Sequence, residues 1–148
     1  MFNHILIPTD GSTLSLKAAR YAAGLALELK ARVTALYVIP PYVVPYAGEG
    51  IYFSTDFTEK EYMIGSREHA DKALLRVEAI LAKQGVKCVR QSIVHTSPWE
   101  GIIKGASKFK CDLVVMASHG RGGLAGVVLG SQATRVLTHS KVPVLVCR

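Results

Sequence analysis

Short apolar runs alternate with amphipathic segments along the whole chain, and this alternation constrains the fold more than any other feature. Each run is rich in Val, Ile and Leu, which favours a strand. Most of the runs are continuously apolar, as expected for strands whose two faces are both covered by helices. The predicted strands are His4–Pro8, Arg32–Ile39, Val86–Val94, Leu113–Ala117 and Val142–Cys147.

Between these strands, apolar residues recur at the spacing of a helix. The predicted helices cover residues 12–29, 58–84, 98–108 and 131–139. Glu61 and Glu100 each follow a Thr or Ser by three residues, so we predict capping boxes at Thr58 and at Ser97. Pro98 would occupy the first position of its helix, where its missing N–H costs nothing.

The resulting order of elements is βαβαβαβαβ. Because crossovers between parallel strands are right-handed, this order predicts an α/β fold with a doubly wound, five-stranded parallel sheet and four helices. At 148 residues we expect a single domain that covers residues 1–148. In such sheets ligands bind at the carboxyl ends of the strands, so the segments after strands one, two and four should share one functional edge.

The composition excludes several other classes of protein. Hydrophobic residues make up 49% and charged residues 20% of the chain, which is typical of a globular protein. The formal net charge is +7, but the Lys and Arg residues are scattered, so we do not expect nucleic-acid binding. The 3 Cys and 5 His residues lack metal-ligand spacing, and we predict no structural metal.

The sequence also bears on where the protein works. No apolar run reaches the roughly 18 residues that a membrane-spanning helix needs. The beginning of the chain, MFNHILIPTDGS, reads as a strand and lacks the pattern of a signal peptide. We therefore expect no membrane association and a cytoplasmic location.

A glycine-rich segment, ASHGRGGLAGVVLGS, follows the fourth strand. Gly120, Gly122 and Ala125 formally match a dinucleotide fingerprint, but the segment follows the fourth strand and no acidic residue comes after it. Alternatively, phosphates could bind the backbone N–H groups near Gly120 and the N-terminus of the helix that Gly130 precedes. Spacing alone leaves this phosphate cradle and a ligand-free connection equally open.

The spacing within this segment resembles the signature of a known family. Ser118-His119-Gly120, nine residues and then Gly130-Ser131 is similar to the nucleotide-binding signature G-x-x-G-(nine)-G-S/T of the universal stress proteins. The segments ILIPTDGS, LYVIP and HSKVPVLVCR also resemble that family, so the resemblance covers essentially the whole chain. It implies a Rossmann-like fold of the adenine nucleotide alpha-hydrolase-like type.

The resemblance also implies a set of ATP-binding residues. Asp10 would bind a ribose hydroxyl, the backbone of Val38 would bind the adenine edge, and Arg121 would pair with a phosphate. The complete implied set is Pro8, Thr9, Asp10, Val38, Met116, Ala117, Ser118, His119, Gly120, Arg121, Gly122, Gly130, Ser131 and Gln132.

As a function, the resemblance implies an ATP-binding regulator of stress adaptation with slow hydrolysis or none. Mg²⁺ or Mn²⁺ would accompany the phosphates, and a homodimer would form through the C-terminal strand, residues 142–147. No catalytic residue is assigned, because no water-activating group can be identified from the pattern. Two alternatives stay open: a nucleotide-free dimeric scaffold of the same fold, and a slow ATPase.

One residue departs from the family signature. Ala117 stands where the signature has its first glycine. A negative φ at this position would make alanine inexpensive, whereas a positive φ or close contact with the ribose would lower nucleotide affinity. The conformation of Ala117 therefore bears directly on the choice between ATP binding and the nucleotide-free scaffold.

Overall fold

The computed structural model describes residues 1–43, 58–120 and 129–148. Within these ranges the chain alternates strictly between strands and helices. The elements are β1 (His4–Pro8), α1 (Thr13–Leu29), β2 (Arg32–Ile39), α2 (Glu59–Ala82), β3 (Cys88–Val94), α3 (Pro98–Lys108), β4 (Leu113–Ala117), α4 (Ser131–His139) and β5 (Val144–Cys147).

All strand pairs are parallel, and the strand order is β3-β2-β1-β4-β5. The chain builds outward from β1 to β3 on one side and then returns to add β4 and β5 on the other. Leu6 in the central strand β1 accordingly lies between Thr34 of β2 and Val114 of β4. The predicted α/β fold with a five-stranded, doubly wound parallel sheet and four helices is confirmed.

Two apolar layers cover the two faces of the sheet. Ile5 and Ile7 pack on one side with α1 and α2, and Leu6 packs on the other with α3 and α4. This alternation follows from the period of two in a strand. Because these three side chains are fully buried, each contributes about 1.5–3 kcal/mol relative to an exposed position.

One of the two predicted capping boxes forms. The Thr58 hydroxyl accepts a hydrogen bond from the backbone N–H of Glu61, and the Glu61 carboxylate accepts one from the backbone N–H of Thr58. The box predicted at Ser97 is wrong, because the Ser97 side chain makes no capping hydrogen bond. The Ser97 N–H instead donates to Nδ1 of His95, and the Glu100 carboxylate lies 3.6 Å from Nε2 of the same ring.

Two strands begin two residues later than predicted. Val86 donates its N–H to Leu81 and so completes the C-terminus of α2, which leaves Cys88 as the first residue of β3. Val142 exchanges hydrogen bonds with the Ser140 hydroxyl in a tight turn, so β5 starts at Val144. In both cases a local hydrogen bond takes a backbone group that a longer strand would need.

No helix in residues 1–43, 58–120 and 129–148 is long and apolar enough to cross a membrane.

A histidine is buried between the central strands, at the amino end of the sheet. His4 is 8% exposed, and its Nε2 lies 2.8 Å from the hydroxyl of Thr34. Burial lowers the pKa of this imidazole below 6.5, and the positive charge of Arg32 lowers it further. The folded protein therefore holds His4 in its neutral form more strongly than the unfolded chain does.

This lowered pKa predicts a loss of stability in mild acid. Below pH 6.5 the unfolded chain binds a proton that the native state binds only at lower pH, so the free energy of unfolding should fall as the pH drops. We expect His4→Gln to lose less stability between pH 7.5 and 5.0 than the unmodified protein, measured by urea denaturation. The exposed His139→Gln should keep the original pH dependence. Equal losses in the unmodified protein and His4→Gln would contradict this.

Candidate functional site

A cavity of about 490 Å³ opens at the carboxyl edge of the sheet. It is bordered by the ends of β1, β2, β3 and β4 and by the first turns of α3 and α4. The residues predicted from the sequence that line it are Pro8, Thr9, Asp10, Val38, Met116, Ala117, Ser118, His119, Gly120, Gly130, Ser131 and Gln132. Arg121 and Gly122 lie outside the described residues.

The turn from β1 to α1 forms one wall of the cavity, and its own polar groups hold it. The backbone N–H of Thr9 donates to the carbonyl of Leu36 on β2, and the Thr9 hydroxyl accepts from the N–H of Gly11. The Asp10 carboxylate accepts from the N–H of Ser12, 2.9 Å away. Gly11 has a φ of +78°, a conformation that glycine adopts without strain. These contacts fix the position of Asp10 at the cavity.

Gly120 brings the segment after β4 against this turn. A Cβ at Gly120 would lie 2.6 Å from Oδ2 of Asp10, so any larger residue at this position would have to displace the Asp10 carboxylate. Two of the three segments that the sequence assigned to one functional edge, those after β1 and β4, are therefore adjacent. One end of the cavity combines a carboxylate with a glycine backbone.

The start of α4 is tied to the end of β4. The N–H of Gly130, the N-cap of α4, donates to the carbonyl of Ser118 at 2.7 Å. A Cβ at Gly130 would lie 2.9 Å from that carbonyl oxygen and 3.4 Å from Cα of His119. This close approach places the N-terminus of α4, with its partial positive charge of roughly half a unit, beside the cavity.

Ala117, the departure from the family signature, has an ordinary strand conformation. It pairs with Cys147 of β5, and the next residue, Ser118, donates its N–H to the Cys147 carbonyl. In the described part of the chain, the residues other than glycine with a positive φ are Lys30 and Lys110. Alanine at position 117 therefore costs no backbone strain, although its Cβ lines the cavity.

The middle of the cavity is apolar. Its walls include the side chains of Leu36, Val38, Ile102 and Met116. Helix α3 comes close to β2 because it has glycines where the two elements meet: a Cβ at Gly105 would lie 2.5 Å from the Leu36 side chain. The result is an apolar slot with polar groups at its ends, which is the usual form of a small-molecule site.

Sequence reasoning missed the wall between β3 and α3. His95, Thr96 and Pro98 also line the cavity. The His95 ring contacts the backbone of Ser97 through Nδ1, and its Nε2 lies 2.8 Å from Nζ of Lys104. A signal for this wall existed, because the carboxyl end of β3 has to reach the same sheet edge as the ends of β1, β2 and β4.

The described residues contain no group of three or more His, Cys, Asp or Glu side chains that could hold a metal ion.

The close contact at Gly130 predicts that alanine lowers the stability of the protein there, whereas alanine at a glycine with open space around it does not. Gly130→Ala would push a methyl group against backbone atoms of Ser118 and His119, and we expect it to lower the free energy of unfolding by about 1–3 kcal/mol. Gly24→Ala in α1 is the matched control, since a Cβ there has no neighbour within 4 Å. It should raise stability by about 0.5–1 kcal/mol. Urea denaturation of both variants tests this; equal effects would contradict it.

Comparison with known proteins agrees with the fold and the sequence signature. The sequence model of the Universal stress protein family matches residues 1–148. The chain is 36% identical to universal stress protein MJ0531 of Methanocaldococcus jannaschii, covering 100% of this chain and 83% of that protein.

Solved structures agree as well. Universal stress protein UspA from Lactobacillus plantarum is 25% identical with a TM-score of 0.80, over 99% of this chain and 97% of that one. The structure of MJ0577 is 29% identical with a TM-score of 0.79, over 99% of this chain and 95% of that one. The chain therefore belongs to the universal stress protein family.

Proposed function

We propose that this protein is an ATP-binding regulator of stress adaptation that holds the nucleotide in the cavity at the carboxyl edge of its sheet. The observation that carries the proposal is the convergence of the predicted binding residues. Segments far apart in the sequence, after β1, β2 and β4, line one cavity of about 490 Å³. We also propose that residues 1–148 form a single domain.

The chemistry of the cavity fits the parts of the nucleotide. The apolar slot between Leu36, Val38, Ile102 and Met116 suits a flat purine ring. Asp10 stands where a carboxylate can accept hydrogen bonds from ribose hydroxyls. The N-terminus of α4, approached through Gly130, favours the negative charge of phosphates. Mg²⁺ or Mn²⁺ would take its ligands chiefly from phosphate oxygens and water.

Two more distant members of the family were solved with adenine nucleotides bound. A universal stress protein 22% identical to this chain, with a TM-score of 0.72, was solved in complex with cAMP. One from Archaeoglobus fulgidus, 19% identical with a TM-score of 0.68, was solved in complex with dAMP. At these identities the likeness concerns the fold, and the extension to ATP in this chain rests on its own cavity.

The role that we propose is binding, with slow hydrolysis or none. Phosphoryl transfer needs a group that orients or activates the attacking water, and the residues assigned to the cavity supply contacts to the nucleotide. We place the protein in the cytoplasm, where ATP is available. Its regulatory output would come from the difference between the nucleotide-bound and free states.

A nucleotide-free dimeric scaffold is the second candidate, and Ala117 is the residue that favours it. Its backbone conformation is compatible with the site, so the case for the scaffold depends on the Cβ alone. That methyl group would have to occupy space that the ribose needs.

Binding is tested by thermal unfolding with millimolar Mg-ATP. A ligand at a hundredfold excess over its Kd stabilises a protein by about 2.7 kcal/mol, which for this length raises the Tm by about 5–10 °C. We expect this shift with ATP, and we expect Asp10→Ala to lose most of it. Asp71→Ala, at an exposed position in α2, is the control and should keep the shift.

Two results would contradict the proposal. The absence of a shift with ATP, ADP, GTP and cAMP would favour the nucleotide-free scaffold. Single-turnover hydrolysis well above background, abolished by Asp10→Ala, would establish an ATPase.

We also propose a homodimer through the C-terminal strand. In the described part of the chain β5 lies at one edge of the sheet, where unpaired backbone groups can bind a second strand. Leu145 on this strand is 44% exposed. The family resemblance implies an interface over residues 142–147, and the position of β5 is compatible with it.

A dimer that forms through β5 predicts that a charged substitution disrupts it on β5 but not on β3, the opposite edge strand. Leu145→Glu should convert the protein to a monomer in sedimentation velocity, because two carboxylates would meet at the twofold interface. Val89→Glu on β3, the other edge strand, should remain dimeric; Val89 is 56% exposed. A monomeric unmodified protein, or dissociation caused by Val89→Glu, would refute this interface.

A further inference from the structure

Arg76 in α2 reaches the turn that presents Asp10 to the cavity. Its guanidinium donates a hydrogen bond through Nη1 to the backbone carbonyl of Gly11, 3.0 Å away and 65 residues earlier in the chain. The buried side chains of Leu74 and Val77 pack α2 into the same apolar layer as α1, which begins directly after this turn. The contact therefore joins the second helix of that layer to one wall of the cavity.

The Gly11 carbonyl depends on Arg76 for its hydrogen bond. Gly11 is buried, and its N–H already donates to the Thr9 hydroxyl. In the described part of the chain, no other backbone or side-chain group donates to the Gly11 carbonyl. Because the polar groups of a buried residue need partners, the guanidinium completes the turn from outside it.

The same peptide unit also orients the Asp10 carboxylate. The Gly11 carbonyl and the Ser12 N–H belong to one planar trans unit, so they point in opposite directions. Arg76 holds the carbonyl end, and Oδ1 of Asp10 accepts a hydrogen bond from the N–H end at 2.9 Å. A rotation of this plane would break both hydrogen bonds at once.

Glycine makes this peptide plane easy to rotate, which is why a contact from outside the turn matters. Gly11 has a φ of +78°, and a residue without a Cβ can adopt either sign of φ at little cost. A cation is an effective donor here, because hydrogen bonds that involve an ionised group are stronger than neutral ones. A cation at the carbonyl also polarises the amide, which strengthens its N–H as a donor to the Asp10 carboxylate.

We propose that Arg76 is a positioning residue for the ribose: it fixes the peptide between Gly11 and Ser12 and, through that peptide, the Asp10 carboxylate that accepts hydrogen bonds from the ribose hydroxyls. The inference rests on the proposed ATP binding and deepens it. Arg76 does not itself line the cavity, so its effect on affinity passes through Asp10. Its removal should therefore weaken only those ligands that carry ribose hydroxyls.

Three variants and two ligands separate this role from a general effect of charge or stability. Arg76→Met keeps the apolar stem and removes every donor, whereas Arg76→Lys can still donate one hydrogen bond. Lys72→Met is the matched control, because it removes the same charge at an exposed position one turn earlier in α2. ATP and dideoxy-ATP share the base and the triphosphate, and only ATP has the ribose hydroxyls.

The experiment is isothermal titration of the whole chain with both ligands. A net hydrogen bond corresponds to about 3- to 10-fold in affinity, so Arg76→Met should weaken ATP binding by that factor and leave dideoxy-ATP within about twofold. Arg76→Lys should recover part of the loss, and Lys72→Met should bind both ligands as the unmodified protein does. In an Asp10→Ala background, Arg76→Met should cause no further loss of ATP affinity.

Each other outcome overturns the inference in a distinguishable way. If Arg76→Met binds ATP as tightly as the unmodified protein, the positioning role is wrong and the proposed function stands. If ATP and dideoxy-ATP are weakened equally, or Lys72→Met has the same effect, the charge of α2 acts on the triphosphate and Arg76 does not position the ribose. If the unmodified protein binds the two ligands equally well, the role of Asp10 at the ribose fails and the inference fails with it. If it binds neither, the proposed function fails as well.

Discussion

The site depends on the position of β1 between β2 and β4. Because crossovers are right-handed, α1 leaves β1 toward one face of the sheet and α4 leaves β4 toward the other. The segments after two adjacent strands therefore diverge, and a cleft opens between them at the carboxyl edge. The core supports this arrangement, since α1 packs with α2 on one face and α3 packs with α4 on the other.

Close approach of the backbone turns this cleft into a defined cavity. Gly120 reaches the Asp10 carboxylate, Gly130 reaches the carbonyl of Ser118, and Gly105 brings α3 against Leu36. In each case a Cβ would lie under 3.0 Å from another atom. Ala117 lies close in sequence to Gly120, but it belongs to β4 and has strand geometry. The loss of glycine from the signature falls where the backbone does not require it.

The sequence predicted the fold well because the period of the apolar residues reports burial directly. Every strand and helix of the described ranges was identified, and their errors were confined to ends such as Val86 and Val142, where one local hydrogen bond decides the boundary. The capping box at Ser97 failed for a related reason: His95, outside the motif, binds the N–H of Ser97. A four-residue capping motif cannot show that a residue before the motif accepts the hydrogen bond from its first N–H group.

The candidate site was predictable to the extent that it follows from strand ends and a family signature. The contribution of His95 and the hydrogen bond from the Trp99 N–H to the Gln132 side chain were not, because they depend on how α3 and α4 face each other across the cavity. Residues 95 and 104 are brought together by one turn and one helix, and residues 99 and 132 by packing between helices. Such contacts carry no spacing pattern in the sequence.

The C-terminal strand connects the site to the edge of the sheet. Ser118, whose carbonyl binds Gly130 at the start of α4, donates its own N–H to the Cys147 carbonyl of β5. One residue thus joins the cavity to the strand at which the proposed dimer forms. A second subunit paired to the free edge of β5 would act on Ser118 through a single strand, and a ligand that moves the start of α4 would act on β5 by the same route. If binding and dimerisation are coupled, Ser118 offers one route for the coupling, because both hydrogen bonds are made by its own backbone.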